Sequence, residues 1–514
     1  MLIGFALIMV ILILWQLLLP SRRQPAPQPQ PAPAAVAPET VSLQPVSEPE
    51  RIIIPPVGVK ETTLILENEL LRIELTSIGG AIKSCYLKKY SVRLIPDGQT
   101  ILGNQELTNL TPVDCRLSDS SVCFTYNTPQ GTLSKIWTLS KDYSLNLNLD
   151  LPQENATLTF DGDAGIVTTE KNVKEDLANF HFYARDQGRV HQISVASLRK
   201  KPFISAADWV GLKSKYFFLA LVSKDSRFDS CQAIPKSDGR IGFTALTRAT
   251  KTSNRFLVYL GPIEYNRLRS FGLGFESVVS LGWLKPVALG ILYLLRLFYK
   301  IVCNWGLAIV LFSLLMKLAF YPLTRTQTRQ MRQLQLLQPK IEELKKKYKN
   351  DPQTLNQETM RLYQLYKVNP LSGCLPLLVQ MPVFFALYTV LRNFIELRGA
   401  GFILWLKDLS QPDTLFGHLP HGLPLVGGFA IGLLPILMGA SFIAQNLLTS
   451  TDKRNWAMTI IFPIFITAIF LNLSSGLQLY WFIYNILSIV ESLIATKGGS
   501  IWQRFKKTPN PGVI

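Results

Sequence analysis

Apolar residues in this chain gather into six long runs, at Met1–Leu19, Trp305–Tyr321, Leu375–Leu391, Pro424–Ile443, Trp456–Leu473 and Leu477–Ile494. Each is close to the ~17 to 25 residues that a helix needs to cross ~30 Å of hydrocarbon. Between the first run and the second the period changes. TTLILENELLRIELTSIGGAIKSCYL, YSLNLNLDL and RFLVYLGP alternate apolar with polar residues and are broken by Gly, Asp, Asn and Pro, which predicts antiparallel strands. The pattern predicts a polytopic α-helical membrane protein of six transmembrane helices with a large all-β sandwich inserted after the first.

The segments between these elements are patterned too. SRRQPAPQPQPAPAAVAPETVSLQPVSEPE is rich in Pro, Ala and Gln and reads as an extended tether. In GWLKPVALGILYLLRLFYKIVCNWG, Arg296 and Lys300 share one face while Leu292, Leu295 and Tyr299 form an apolar one. Two readings stand: a helix lying in the membrane interface, or a plain lead-in to the second span. Met331, Leu334, Leu337, Ile341, Leu344 and Tyr348 keep a 3-4 spacing, and Leu355, Thr359, Leu362 and Tyr366 resume it after NDPQ. Asp351 as helix cap and Pro352 at the first helical position then predict a helical hairpin. The expected organisation is an anchor at 1–20, a tether at 21–56, the β domain at 57–270 and a linker with the interfacial helix at 271–303. The second span follows at 304–324, a basic hairpin at 325–371, spans three to six at 372–496 and a basic tail at 497–514.

Composition agrees with a bilayer: 48% of the 514 residues are hydrophobic and 17% charged, a departure from soluble domains. The net charge of +18 is concentrated in the loop after the second run, which includes Arg325, Arg329, Arg332, Lys340, Lys345, Lys346, Lys347 and Lys349, and it recurs at Lys453, Arg454 and in the tail. The positive-inside rule places those segments in the cytoplasm, and parity puts the β domain outside with both chain ends inside. Arg22 and Arg23 follow the first run, against the rule for that helix alone. A retained anchor is favoured over a cleaved signal peptide, because the nearest small-x-small site lies well beyond the run, in APAAVA. The charge is not organised as a basic stripe interleaved with aromatics and matches no nucleic-acid motif, so no specific nucleic acid sequence is expected as a partner.

Candidate chemistry is sparse. The six cysteines show no metal spacing, and no GxxxxGK[ST] phosphate loop occurs, so no cofactor is expected. For Cys115 and Cys123 in CRLSDSSVC, a bridge across a hairpin and two unpaired thiols both stand. The exception is SLLMKLAFYPLTRTQ, which places Lys317 inside the second apolar run, eight residues before Arg325, or about 12 Å along a helix. Snorkelling to the cytoplasmic interface is one reading. The other is a water-filled cavity, because a charge on a lipid-facing helix centre costs at least ~2.5 kcal/mol; Ser313, Gln445 and Gln478 would line it. A secondary transporter would be expected to show repeated halves and broken helices, and neither is evident. An intramembrane protease would need a base beside Ser474 or Ser475, yet His418 and His421 fall between runs three and four.

The motifs VNPLSGCLPLLVQMPVFFALYTVLRN, FYPLT, LQPKIEELKKKYKND, NWGLAIV and SSGLQLYWFIYN closely resemble the YidC/Oxa/Alb family of membrane protein insertases. The resemblance covers the C-terminal half, and YLGP and SIGG extend it to the Gram-negative branch. It implies an inner-membrane, non-enzymatic insertase and folding chaperone with a periplasmic β-supersandwich and a five-helix core, acting on nascent inner-membrane proteins alone or beside the Sec translocon. It also implies a cytoplasm-open hydrophilic groove. Lys317 matches a family arginine five residues before the YPLT proline, and lysine lacks the planar fork that grips a carboxylate. Ser313 and Gln445 match polar groove residues, and Tyr480 with Trp481 matches a tyrosine pair. A client's carboxylates would meet Lys317 while its hydrophobic segment slides along spans two and six into lipid. The basic hairpin, with Arg329, Arg332, Lys345, Lys346, Lys347 and Lys349, is where membrane lipid, the ribosome, or the signal recognition particle or its receptor would land. A membrane assembly scaffold is the nearest alternative.

Overall fold

A computed structural model of the chain describes residues 61–195, 197, 203–366, 368, 375–420, 428–449 and 457–505. The expected anchor, the tether and the end of the tail lie outside these residues.

The alternating stretches form strands as their period requires. In Ser144–Asp150 the side chains of Leu145, Leu147 and Leu149 are buried, each contributing about 1.5–3 kcal/mol of transfer free energy. Its neighbour Ser253–Pro262 runs antiparallel, with Ser253 opposite Asp150 and Tyr259 opposite Ser144. These two are central strands of a nine-stranded antiparallel sheet that runs from Arg189–Ser194 at one edge to Pro112–Leu117 at the other. A five-stranded sheet faces it: Phe160 and Phe243 of the smaller sheet meet Phe256 and Phe182 of the larger at ring separations of 4.8 and 6.3 Å. Thr63–Glu67, Leu71–Thr76, Ala81–Leu87 and Val92–Arg93 make a third sheet. Cys115 and Cys123 sit in adjacent strands, opposite Phe124 and Arg116, and both thiols are free.

The SIGG turn explains one of its own glycines. Gly80 has φ +57°, and a Cβ there would lie 2.6 Å from Cδ of Lys135, a buried lysine whose Nζ donates to the carbonyls of Gly79 and Leu102 and to Oδ1 of Asn104. Lys213 is likewise buried and donates to Val278 and Ser280. Burial pushes both amines down to about 7. Between that value and their ordinary 10.5 the unfolded state binds more protons than the folded one, so stability rises with pH. Urea midpoints of the β domain should climb from about pH 6.5 to about pH 7.5, below the ~8.5 at which exposed thiols ionise and the ~10 of phenols. The climb should shrink in Lys135→Met, and flat midpoints would contradict it.

The helical part begins with α1, Lys285–Val302, whose Ala288, Ile291, Leu292 and Leu295 are buried against the protein. The face expected to be its apolar membrane side is thus spent on packing, and a second apolar set, Tyr293, Leu297 and Ile301, is exposed instead. Nor is Arg296 solvated, since it pairs with Glu396 at 2.6 Å. Next, α2 (Trp305–Lys347) runs for 43 residues through Pro322 and Pro339, so the expected boundary at 324 is no break, and span and hairpin arm are one helix. It turns into α3, Pro352–Leu365, with Asp351 accepting from the backbone N–H of Thr354 at 3.0 Å. Leu334, Leu337 and Ile341 pack with Leu362, Tyr363 and Val368 to close the hairpin.

The remaining helices are α4 (Leu375–Asn393), α5 (Leu433–Thr449), α6 (Phe462–Phe470, led in by a π-helical turn) and α7 (Ser475–Phe505). Among the described residues, Trp305–Gln327 and Ser475–Ile494 are long and apolar enough to cross a bilayer, and Leu433–Leu448 and Thr459–Phe470 are shorter apolar helices. The apolar run at Pro424–Ile443 is only partly helical. Gly428 has φ +78°, and the helix starts at Leu433 because Asp413 takes the N–H of Leu434 at 2.8 Å.

The β domain docks on the helices through polar contacts far apart in sequence. Arg398, just after α4, meets the buried Glu170 at 2.8 Å and donates to the carbonyl of Thr169, while Gln411 donates to the other oxygen of Glu170. Arg392 lies 3.4 Å from Glu175 and its carbonyl accepts from Tyr216.

Candidate functional site

The site lies where α2 meets α7, and local sequence fixes both helices from the same end. Asn304 caps α2 by accepting the N–H of Leu307 at 3.0 Å, and Trp305 stacks on Tyr299 at 4.1 Å. At the start of α7 the hydroxyl of Ser475 donates to the carbonyls of Asp408 and Gln411 at 2.8 and 2.7 Å. These bonds anchor the helix and commit the hydroxyl to no base. From there, contacts step forward along both helices together: Phe312 with Tyr480, Lys317 with Ser488, Thr324 with Glu491. The two helices therefore run parallel.

Lys317 stands near the middle of the Trp305–Gln327 span. Its side chain is 9% exposed and meets α7. Nζ lies 2.7 Å from Oε2 of Glu491, donates to Oγ of Ser488 at 2.8 Å and sits 5.0 Å from the ring centre of Tyr484. Glu491 in turn accepts from Thr324 through Oε1 at 3.0 Å. The expected solitary cation is thus half of a buried ion pair. Glu491, Ser488 and Tyr484 were not anticipated from sequence, although Glu491 is the one charged residue in the last apolar run, and that was the available signal.

The other expected residues divide. Ser313, one turn before Lys317, is fully buried and donates to the carbonyl of Ile309 at 2.8 Å. Tyr480 is buried beside Phe312, and its hydroxyl accepts from Gln380 at 3.3 Å. Trp481 turns instead to Phe384 and Phe470, at 5.2 and 5.3 Å. Gln445 is half-buried on α5, one turn beyond Ser441, which accepts from Asn485 of α7 at 3.3 Å. Gln478 does not join this set: its Nε2 donates to the carbonyls of Phe470 and Leu473 at 2.8 and 3.1 Å, so it closes the end of α6. On the hairpin, Arg329, Lys345, Lys346, Lys347 and Lys349 are exposed, whereas the side chain of Arg332 lies outside the described residues.

Two family profiles match the chain: the 60Kd inner membrane protein over residues 297–501, and the YidC periplasmic domain over residues 112–294. The membrane protein insertase YidC of Pelobacter propionicus is 33% identical, with 86% of this chain and 88% of that protein covered. The one from Chlorobaculum parvum is 31% identical, with 95% and 93% covered. A crystal structure of an active YidC insertase with its first transmembrane domain resolved covers 84% of this chain and 92% of that one, at 21% identity and a TM-score of 0.40.

Proposed function

Because this chain belongs to the YidC family of membrane protein insertases, with that family's periplasmic β domain and helical C-terminal region, we propose that it inserts nascent proteins into the inner membrane. The observation that carries the mechanism is Lys317, a charge held in the middle of an apolar span and shared with Glu491 of the last helix. A polar seam between α2, α5 and α7 lowers the desolvation cost for a client's hydrophilic segment as it leaves the cytoplasm. The client's hydrophobic segment passes into lipid along α2 and α7, where Leu318 and Ile494 are exposed. No covalent bond is made or broken, and apolar burial and the membrane potential drive the exit. Ser313, Gln445, Tyr480 and Trp481 line or brace the groove, open to the cytoplasm, and Gln478 braces it from the end of α6.

The same reading places six spans in the membrane with both termini in the cytoplasm and the β domain in the periplasm. The parallel course of α2 and α7 supports it, since three spans between them require it. On this reading α1 rests at the outer interface with Trp283, Tyr293 and Ile301 toward lipid. The hairpin, with Lys345, Lys346, Lys347 and Lys349 exposed, receives the ribosome, the signal recognition particle or its receptor, and anionic lipid, and the Sec translocon is a partner for larger clients.

Liposomes holding the purified chain should insert a small client that empty liposomes leave outside. Removing Gln333–Tyr363 should lower insertion of ribosome-delivered clients more than of clients added after synthesis. No insertion above empty liposomes would refute the reading, and an equal loss for both deliveries would leave the hairpin with a connective role only.

A further inference from the structure

Pairing with Glu491 changes what the site can accept. A lone buried cation would draw in carboxylates and repel ammonium groups, and in a low-dielectric site either effect is large. A paired cation presents no net charge. Each member of the pair also keeps a second partner of its own: Lys317 has Oγ of Ser488 at 2.8 Å, and Glu491 has Oγ1 of Thr324 at 3.0 Å. The pair can therefore open with one hydrogen bond left to each charge, which lowers the cost of breaking it.

Position adds to this. Thr324 is seven residues beyond Lys317 toward Arg325, about 10 Å along the helix, and Glu491 spans the two. Glu491 thus bridges Lys317 to Thr324, on the side of the basic end of α2.

We propose that Glu491 is a specificity-determining residue, one that competes with client carboxylates for Lys317 and itself accepts client ammonium or guanidinium groups, so that the site takes translocated segments of either sign. The proposal rests on the insertase reading. An acidic segment exchanges one ion pair for another at Lys317, with Glu491 falling back on Thr324. A basic segment makes the complementary exchange at Glu491, with Lys317 falling back on Ser488. The net gain for either sign is small, and the site discriminates weakly, as suits a protein with many clients.

The test uses the full chain in liposomes and one client whose translocated segment carries two Asp, no charge, or two Lys. Wild type should insert the three within a small factor of one another. Glu491→Gln should raise acidic over neutral insertion and depress basic relative to neutral insertion, each by about tenfold, the factor that ~1.4 kcal/mol supplies. Glu491→Asp should keep the wild-type ratios. The exchanged double variant, Lys317→Glu with Glu491→Lys, restores the pair and should accept both signs, which keeps the test available if Glu491→Gln folds poorly. An equal loss for all three clients in Glu491→Gln, or a double variant that discriminates between signs, would overturn the proposal and leave Glu491 a packing partner. If wild type fails to insert the neutral client above empty liposomes, the insertase reading falls, and this proposal with it.

Discussion

Lys317→Glu is expected to reduce insertion by about 100-fold or more while leaving the β domain folded. The substitution sets two carboxylates against each other where 2.7 Å now separates opposite charges, and breaking a buried pair by removing one partner costs about 3–5 kcal/mol. Clients with acidic translocated segments should suffer most. Lys317→Arg should retain activity, since a guanidinium can grip Glu491 through two N–H groups. Lys317→Gln should fall between, because it leaves Glu491 buried without its cation. Insertion measured at equal insertase level across the three variants checks the order Arg, Gln, Glu. Activity in Lys317→Glu equal to wild type would mean that the charge is merely tolerated.

The second large effect is expected at the dock between the β domain and the helices. Arg398→Ala removes the cation beside Glu170, whose side chain is 4% exposed, and the donor to the Thr169 carbonyl. Leaving that carboxylate uncompensated costs about 3–5 kcal/mol. Hydrogen exchange should accelerate around residues 165–176 and 395–411 while the strands of the nine-stranded sheet stay protected, because their core lies elsewhere. Arg398→Lys should recover part of the protection, having the charge without the second donor. Unchanged exchange in Arg398→Ala would mean that Gln411 on Glu170 and Arg392 beside Glu175 hold the dock without this pair.

What could be read from sequence follows from the range of each signal. Period-two alternation marked Ser144–Asp150 and Ser253–Pro262 because strand burial repeats locally. The 3-4 spacing of Leu334, Leu337 and Ile341 marked the hairpin for the same reason. Asp351 was legible as a cap because capping is a contact between near neighbours. Lys317 stood out as a charge where the run forbade one, but its partner is 174 residues away, and no local pattern ties the two together. Glu491 also falls three residues from the end of its apolar run, where a charge reads as the flank of a span. Arg398 and Glu170 escaped notice in the same way. Gln478 was placed in the groove on composition, yet the carbonyls at the end of α6 claim it. The start of α5 was misread because Phe429, Ala430 and Ile431 prolong the hydropathy run without prolonging the helix.

The central claim is that a client's hydrophilic segment passes the Lys317–Glu491 pair while its hydrophobic segment runs outside α2. Site-specific photocrosslinking to a stalled nascent client tests this most directly, with a photoreactive amino acid in place of Tyr484, beside the pair, or of Leu318, on the exposed side of α2. The account predicts adducts from position 484 to the client's translocated polar segment and from position 318 to its hydrophobic segment. Adducts to the hydrophobic segment from both positions, with none to the polar segment from 484, would contradict it.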